Sequence, residues 1–258
     1  MKKKTILVAA IAVMLVAALV VGGTLAYFTD KSGPKVNTFT VGNVAIDLDE
    51  PSWKENESHT LLPGASYAKD PTITVKEGSQ DAYVFLKLDL NKYVSLINLM
   101  GVDAYKNVDA LKGQTYPGFI EFVGMLADNN ALRAAVLDRW FSGVNHADWK
   151  VMNREQIMTD VAAAKDGNNP THLFVVLGYQ KVVKANDKVQ FMTAFGMPST
   201  VTASMFDGED AYKIDGVPKS NFNTNSSDFK MTFTAYAIQA SEINGLDAAY
   251  AALGNIAE

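Results

Sequence analysis

PTITVKEGSQDAYVFLKLDL, residues Pro71 to Leu90, is the stretch on which the fold turns. In its second half Tyr83, Phe85, Lys87 and Asp89 point one way, and Val84, Leu86, Leu88 and Leu90 the other. That period of two is the mark of a strand, here with one face more apolar than its opposite. Pro71 to Gly78 reads as a strand before it, and Gly78-Ser79-Gln80 as the connection, so the pair is expected to form a hairpin.

Upstream, Phe39 and Val41 alternate with threonine, whereas Val44, Ile46 and Leu48 alternate in the opposite phase. Gly42-Asn43 lies at the change, as a bulge or register shift in one long strand requires. Downstream, Asn91 to about Gly167 reads as helical. Pro117 suits a first helical turn, Phe119, Phe122, Val123 and Leu126 recur at helical spacing, and Asn153 with Gln156 resembles a capping box stopped by Asp166-Gly167. Strand character returns at His172–Val183, Lys188–Pro198, Ser199–Phe206 and Asp228–Ala240, with Lys219–Asp228 as a polar loop and Leu246–Leu253 as a short Ala-rich helix. Strands, then helices, then strands, without a repeat, predict a single antiparallel β-sandwich domain over residues 37–258 with a helical insertion at about 91–167. Its core is expected to draw on Val44, Ile46, Val84, Leu86, Leu88, Val175, Phe191, Phe233 and Ala235, with the helices packed outside it.

A chain of 258 residues, 48% hydrophobic and 20% charged, has material for a real core. Its net charge of −5, with Lys2, Lys3 and Lys4 gathered at the very start, leaves no basic footprint for nucleic acid. Without cysteine there are no disulfides, thiolate metal sites or Cys nucleophiles.

Residues 1–26 have a basic start, an apolar run from Ile6 to Val21, a Gly22-Gly23 break and a small-x-small end at Thr24-Leu25-Ala26. This is the pattern of a cleaved signal peptide, and it predicts an exported chain beginning at Tyr27; an uncleaved anchor is the competing reading. The new N-terminus, residues 27–36, contains Gly33 and Pro34 and is expected to be a flexible arm, because it cannot easily serve as a central strand of its own domain. Tyr27 and Phe28 on that arm suit an apolar groove in a neighbouring copy.

GTLAYFTD (Gly23 to Asp30) followed by NTFTVGNVAIDL (Asn37 to Leu48) resembles the start of the TasA/camelysin family. The likeness continues at LLPGASYAKDPTITVKEGSQDAYVFLKL (Leu61 to Leu88) and closes with FTAYAIQA (Phe233 to Ala240). The resemblance implies a jelly-roll-like β-sandwich, export from a Gram-positive cell after processing by a SipW-type signal peptidase, and a place at the cell surface or in a biofilm matrix. For the TasA branch it further implies assembly into fibres by donation of the mature N-terminal segment to a neighbouring copy, with other matrix or cell-wall components as possible partners. The camelysin branch, described as metal-dependent peptidases, supplies an alternative reading.

The residues speak against that alternative. His59, His146 and His172 lie in three separate segments with no HExxH, and His146 with Asp148 is the nearest thing to a ligand pair. Asp47, Asp49 and Glu50, and Asp207, Glu209 and Asp210, are too few oxygens in too short a loop for a calcium site and read as turn charge. No GxSxG, Walker loop or GxGxxG opens a helix after a strand. No cofactor, metal or catalytic residue is therefore expected. Trp53, Trp140 and Trp149 leave a carbohydrate- or cell-wall-binding module as a further alternative, with packing as their commoner use.

Overall fold

The computed structural model describes residues 29–32, 44–53, 62–91, 93–117, 119–165, 172–201, 230–254 and 256–257. Residues 1–28 with the cleavage motif, the Gly42-Asn43 phase change, His59, the Asp207–Asp210 cluster and the 219–228 loop lie outside the described residues.

Eleven strands are described: β1 (Thr29–Ser32), β2 (Ile46–Asp49), β3 (Ser66–Ala68), β4 (Thr72–Val75), β5 (Ala82–Asn91), β6 (Phe141–Ser142), β7 (Trp149–Val151), β8 (His172–Tyr179), β9 (Lys188–Gln190), β10 (Ala194–Gly196) and β11 (Met231–Gln239). Helices α1 (Tyr93–Asn107), α2 (Phe119–Asp128), α3 (Asn130–Leu137) and α4 (Arg154–Lys165) lie between β5 and β8, and α5 (Leu246–Leu253) follows β11. The molecule is mainly antiparallel β, as expected, but in three sheets: a large one in the order β1-β11-β5-β8-β7, and two small ones, β3-β10-β6 and β2-β4-β9.

β5, the strand whose alternation runs through Asp81 to Leu90, lies at the centre of the large sheet. Val84, Leu86, Leu88 and Leu90 enter the main core together with Val44, Ile46, Ile73 and Val75 of the β2-β4-β9 region. Phe85 faces away, into a second cluster with Val176, Tyr236, Ile238 and the C-terminal segment. Of the expected core residues, all but Val175 are buried, and Val175 packs partly buried against the cluster.

The expected hairpin does not form. β4 pairs with β2 and β9, whereas β5 pairs with β11 and β8. Gly78, at φ +81°, turns the chain from one sheet to another, so Ile73, Val75, Val84 and Leu86 bury the same core from two sides. Alternating patterns and a short polar link fit both arrangements; the shared core favours the second.

The insertion is not packed outside the core, because Tyr93, Leu96, Phe122, Trp140 and Val161 belong to the same buried cluster as the sheets. It also contributes β6, which joins β10, and β7, which joins β8. Strands of two and three residues are too short for alternation to reveal them. Lys188–Pro198, expected as one strand, divides into β9 and β10 in different sheets.

Candidate functional site

The strand read as the family's closing segment, β11, is apolar on both faces. Phe233, Ala235 and Ala237 enter the main core, and Tyr236 and Ile238 the second cluster. Burial pushes the Tyr236 hydroxyl above its ordinary pKa. On one side β11 is paired along its full length with β5, from Met231↔Leu90 to Gln239↔Ala82. On the other side lies β1, in the register Thr29↔Ile238, Asp30↔Ala237, Lys31↔Tyr236 and Ser32↔Ala235.

Part of the expected arm thus has a place on its own sheet. Gly33 and Pro34 bar a central strand, but an edge strand needs a partner on one side only. The seat is unusual in composition. All four residues of β1 are polar, TDKS, while their partners on β11 are Ala235, Tyr236, Ala237 and Ile238, all buried. The main-chain ladder between β1 and β11 is one that any extended segment can supply. Among the described residues, Met231 to Thr234 pair with β5 alone, so half of this edge has no described partner.

The remaining polar clusters have structural duties. Lys69 Nζ lies 2.8 Å from Glu50 Oε1 and 4.2 Å over the Trp53 ring, and Asp70 accepts a hydrogen bond from the Ser52 amide, so the segment after β2 is pinned to the end of β3. Asp49 caps the Glu50 amide, and the Asp47–Glu50 group thereby reads as turn and packing charge. Trp140 and Trp149 are 1% and 4% exposed and cannot offer a ring face to a sugar; Trp53 is covered by Lys69.

The histidine–carboxylate pairs differ from the one expected. His146 Nε2 meets Asp138 Oδ1 at 2.9 Å, while Asp148 is taken by Lys181 at 2.6 Å and by Asn145. A second pair, His172 Nδ1 with Asp89 Oδ1 at 2.6 Å, bridges β8 and β5, with the imidazole stacked on Phe174. Sequence reading missed this pair, because the register that makes Asn91 and His172 neighbours links residues far apart in the chain. It also missed Asp103, fully buried on α1, which accepts hydrogen bonds from Arg139, Thr200 and Asn107. A signal existed: Leu96, Met100, Asp103 and Asn107 share one helical face, and an acidic residue on an apolar stripe calls for a buried partner.

Residues 1–98 match the camelysin metallo-endopeptidase family. No curated protein and no solved structure matches the chain.

The stretch matched to the camelysin family contains a single histidine, His59, so a site with two or more histidine ligands would need His146 or His172 from beyond it. Among the described residues, no group of three or more His, Asp or Glu is arranged to hold a metal ion. His146 and His172 each face one carboxylate, in different parts of the fold. The three-ligand donor set of a catalytic zinc site is not what these described residues offer.

Proposed function

We propose that the chain is an exported structural protein of the cell surface or extracellular matrix, which assembles with copies of itself by donating its mature N-terminal segment. Three things support the reading: the signal-peptide pattern of residues 1–26, the family match over residues 1–98, and above all the seat on β11. A strand held through its backbone can be replaced by the same strand of a neighbour, which makes the identical ladder. The exchange is head-to-tail, and a heterologous contact that does not close generates a filament. Tyr27 and Phe28 immediately precede β1, and burying both in the neighbour contributes on the order of 3–6 kcal/mol before ordering costs.

The comparison that tests this is protein beginning at Tyr27 against protein beginning at Val36, with polymer mass followed by light scattering and electron microscopy. The longer form is expected to give filaments and the shorter to stay monomeric. Equal assembly of both forms, or of neither, would falsify strand donation by this segment.

The family description favours a second reading, a surface metallo-endopeptidase. It predicts stoichiometric zinc by elemental analysis and chelator-sensitive cleavage of an unstructured protein, both lost in His146→Ala. The structural reading predicts no more than trace zinc and no cleavage above buffer, with His146→Ala indistinguishable from the parent in both measurements.

A further inference from the structure

We infer that the C-terminal helix is a latch on the seat of the N-terminal strand, so that docking of α5 on the sheet and docking of β1 on β11 stabilise each other. Ala249, Ile256 and Ala257, with Leu246, Tyr250 and Leu253 packed against them, share one apolar cluster with Phe85, Val176, Tyr236 and Ile238. Tyr236 and Ile238 are the register partners of Lys31 and Thr29. The C-terminal segment therefore shares its apolar cluster with the two β11 residues whose backbone lies opposite Lys31 and Thr29.

The helix has a built seat. A Cβ on Gly178 would lie 3.0 Å from Leu246 Cδ2 and 2.9 Å from Met152 Sδ, so the absence of a side chain on β8 is what admits Leu246. Tyr250 packs on Phe85 at 5.9 Å between ring centroids, and Asp247 meets Lys150 of β7 at 2.6 Å. Away from that seat the helix has little to sustain it. It is eight residues long, and the residue before it, Gly245, supplies no side-chain cap. Helices below about 12–15 residues are marginal in water without tertiary packing. Such an element opens locally without global unfolding.

β1 is equally marginal, being four polar residues on one edge. Two weak elements seated against the same stretch of β11 are coupled in this reading, and the coupling is reciprocal. Release of α5 would thus deliver β1 for exchange. That consequence rests on the assembly proposed above, whereas the coupling itself is a property of the monomer.

Hydrogen–deuterium exchange on the purified chain at monomeric concentration tests it, reading amides 29–32 and 246–253 in the same run. Gly178→Val evicts Leu246 from the sheet side; Leu246→Asp does so from the helix side and leaves every sheet residue in place. Each is expected to release the helix and to speed exchange at 29–32 by about 10-fold. Lys31→Pro, which places a proline inside the four-residue β1, is expected to speed exchange at 246–253. Wild-type rates at 29–32 in a variant whose α5 amides exchange freely would overturn the latch. Because the readout needs no polymer, a negative light-scattering result leaves it unaffected.

Discussion

Asp103→Ala is expected to lower the melting temperature by about 6–12 °C, equivalent to about 3 kcal/mol for a domain of this size. Asp103 is fully buried and accepts four side-chain hydrogen bonds: Arg139 Nε at 2.5 Å, Arg139 Nη2 at 2.7 Å, Thr200 Oγ1 at 2.7 Å and Asn107 Nδ2 at 2.9 Å. These bonds tie α1 to the segment after α3 and to the turn after β10. Removing the carboxylate strands the guanidinium, which is why breaking such a pair costs more than the pair itself contributes. Arg139 retains a side-chain exposure of 25%, so it can partly rehydrate, and the cost falls at the low end of the usual 3–5 kcal/mol. Calorimetry of the two proteins measures it. A loss below about 1 kcal/mol would mean that the three segments are held by apolar packing alone.

The same carboxyl sets an acid limb to stability. Burial alone would raise its pKa; hydrogen bonds from Arg139 and Thr200, and the guanidinium charge, outweigh burial and hold it below the ordinary carboxylate value. In the unfolded chain Asp103 takes up a proton as pH falls through about 4, while in the folded chain it resists. Its contribution is therefore complete above that range and is lost as pH drops toward and through the lower folded value. The stability gap between wild type and Asp103→Ala should narrow steadily from pH 6 to pH 3. A gap constant over that interval would show that the carboxyl is not titrating differently in the two states.

How far the sequence carries is clearest from neighbouring elements of different length. β5 and β11 could be read residue by residue, since nine or ten alternating positions leave one phase that buries Val84, Leu86, Phe233 and Ala235. Which sheet a strand joins was not legible for β4. Its apolar residues specify a buried face, and that face is satisfied equally by a neighbour beside it or a sheet opposite. β6, β7, β9 and β10 hold two or three residues each, and their places are fixed by contacts such as Phe141 on Phe195 and Trp149 on Phe191, between segments remote in sequence. For the site, Gly33 and Pro34 made residues 27–36 legible as something unfit for a central strand. That it occupies the β11 edge depends on a partner some two hundred positions away, for which the local pattern holds no information.

Asn153 shows the same limit and leads to the second large effect: Asn153→Ala is expected to cost about 2–4 kcal/mol, while Gln156→Ala stays within about 0.5 kcal/mol. The spacing of these residues suggests a capping box, in which the two side chains would serve each other's backbone. Instead the buried Asn153 amide turns to the sheet, donating from Nδ2 to the Phe174 carbonyl and accepting at Oδ1 from the Val176 amide, both at 2.8 Å. The Met152 amide donates to the Val176 carbonyl, so a side chain continues the ladder that β7 begins. Its own carbonyl meanwhile receives the Ile157 amide, starting α4. Gln156, at the surface, bonds to Asp160 and leaves Asn153 alone. Truncating Asn153 abandons a buried donor and a buried acceptor on β8 at about 1–3 kcal/mol each, partly recovered where water can enter. Urea melts of the two variants, with hydrogen exchange read at Val176, separate the arrangements. Loss of Val176 protection in Asn153→Ala alone is the result expected of a ladder-extending side chain. Comparable destabilisation by Asn153→Ala and Gln156→Ala, with Val176 still protected, would restore the capping box and leave α4 joined to the sheet by apolar packing only.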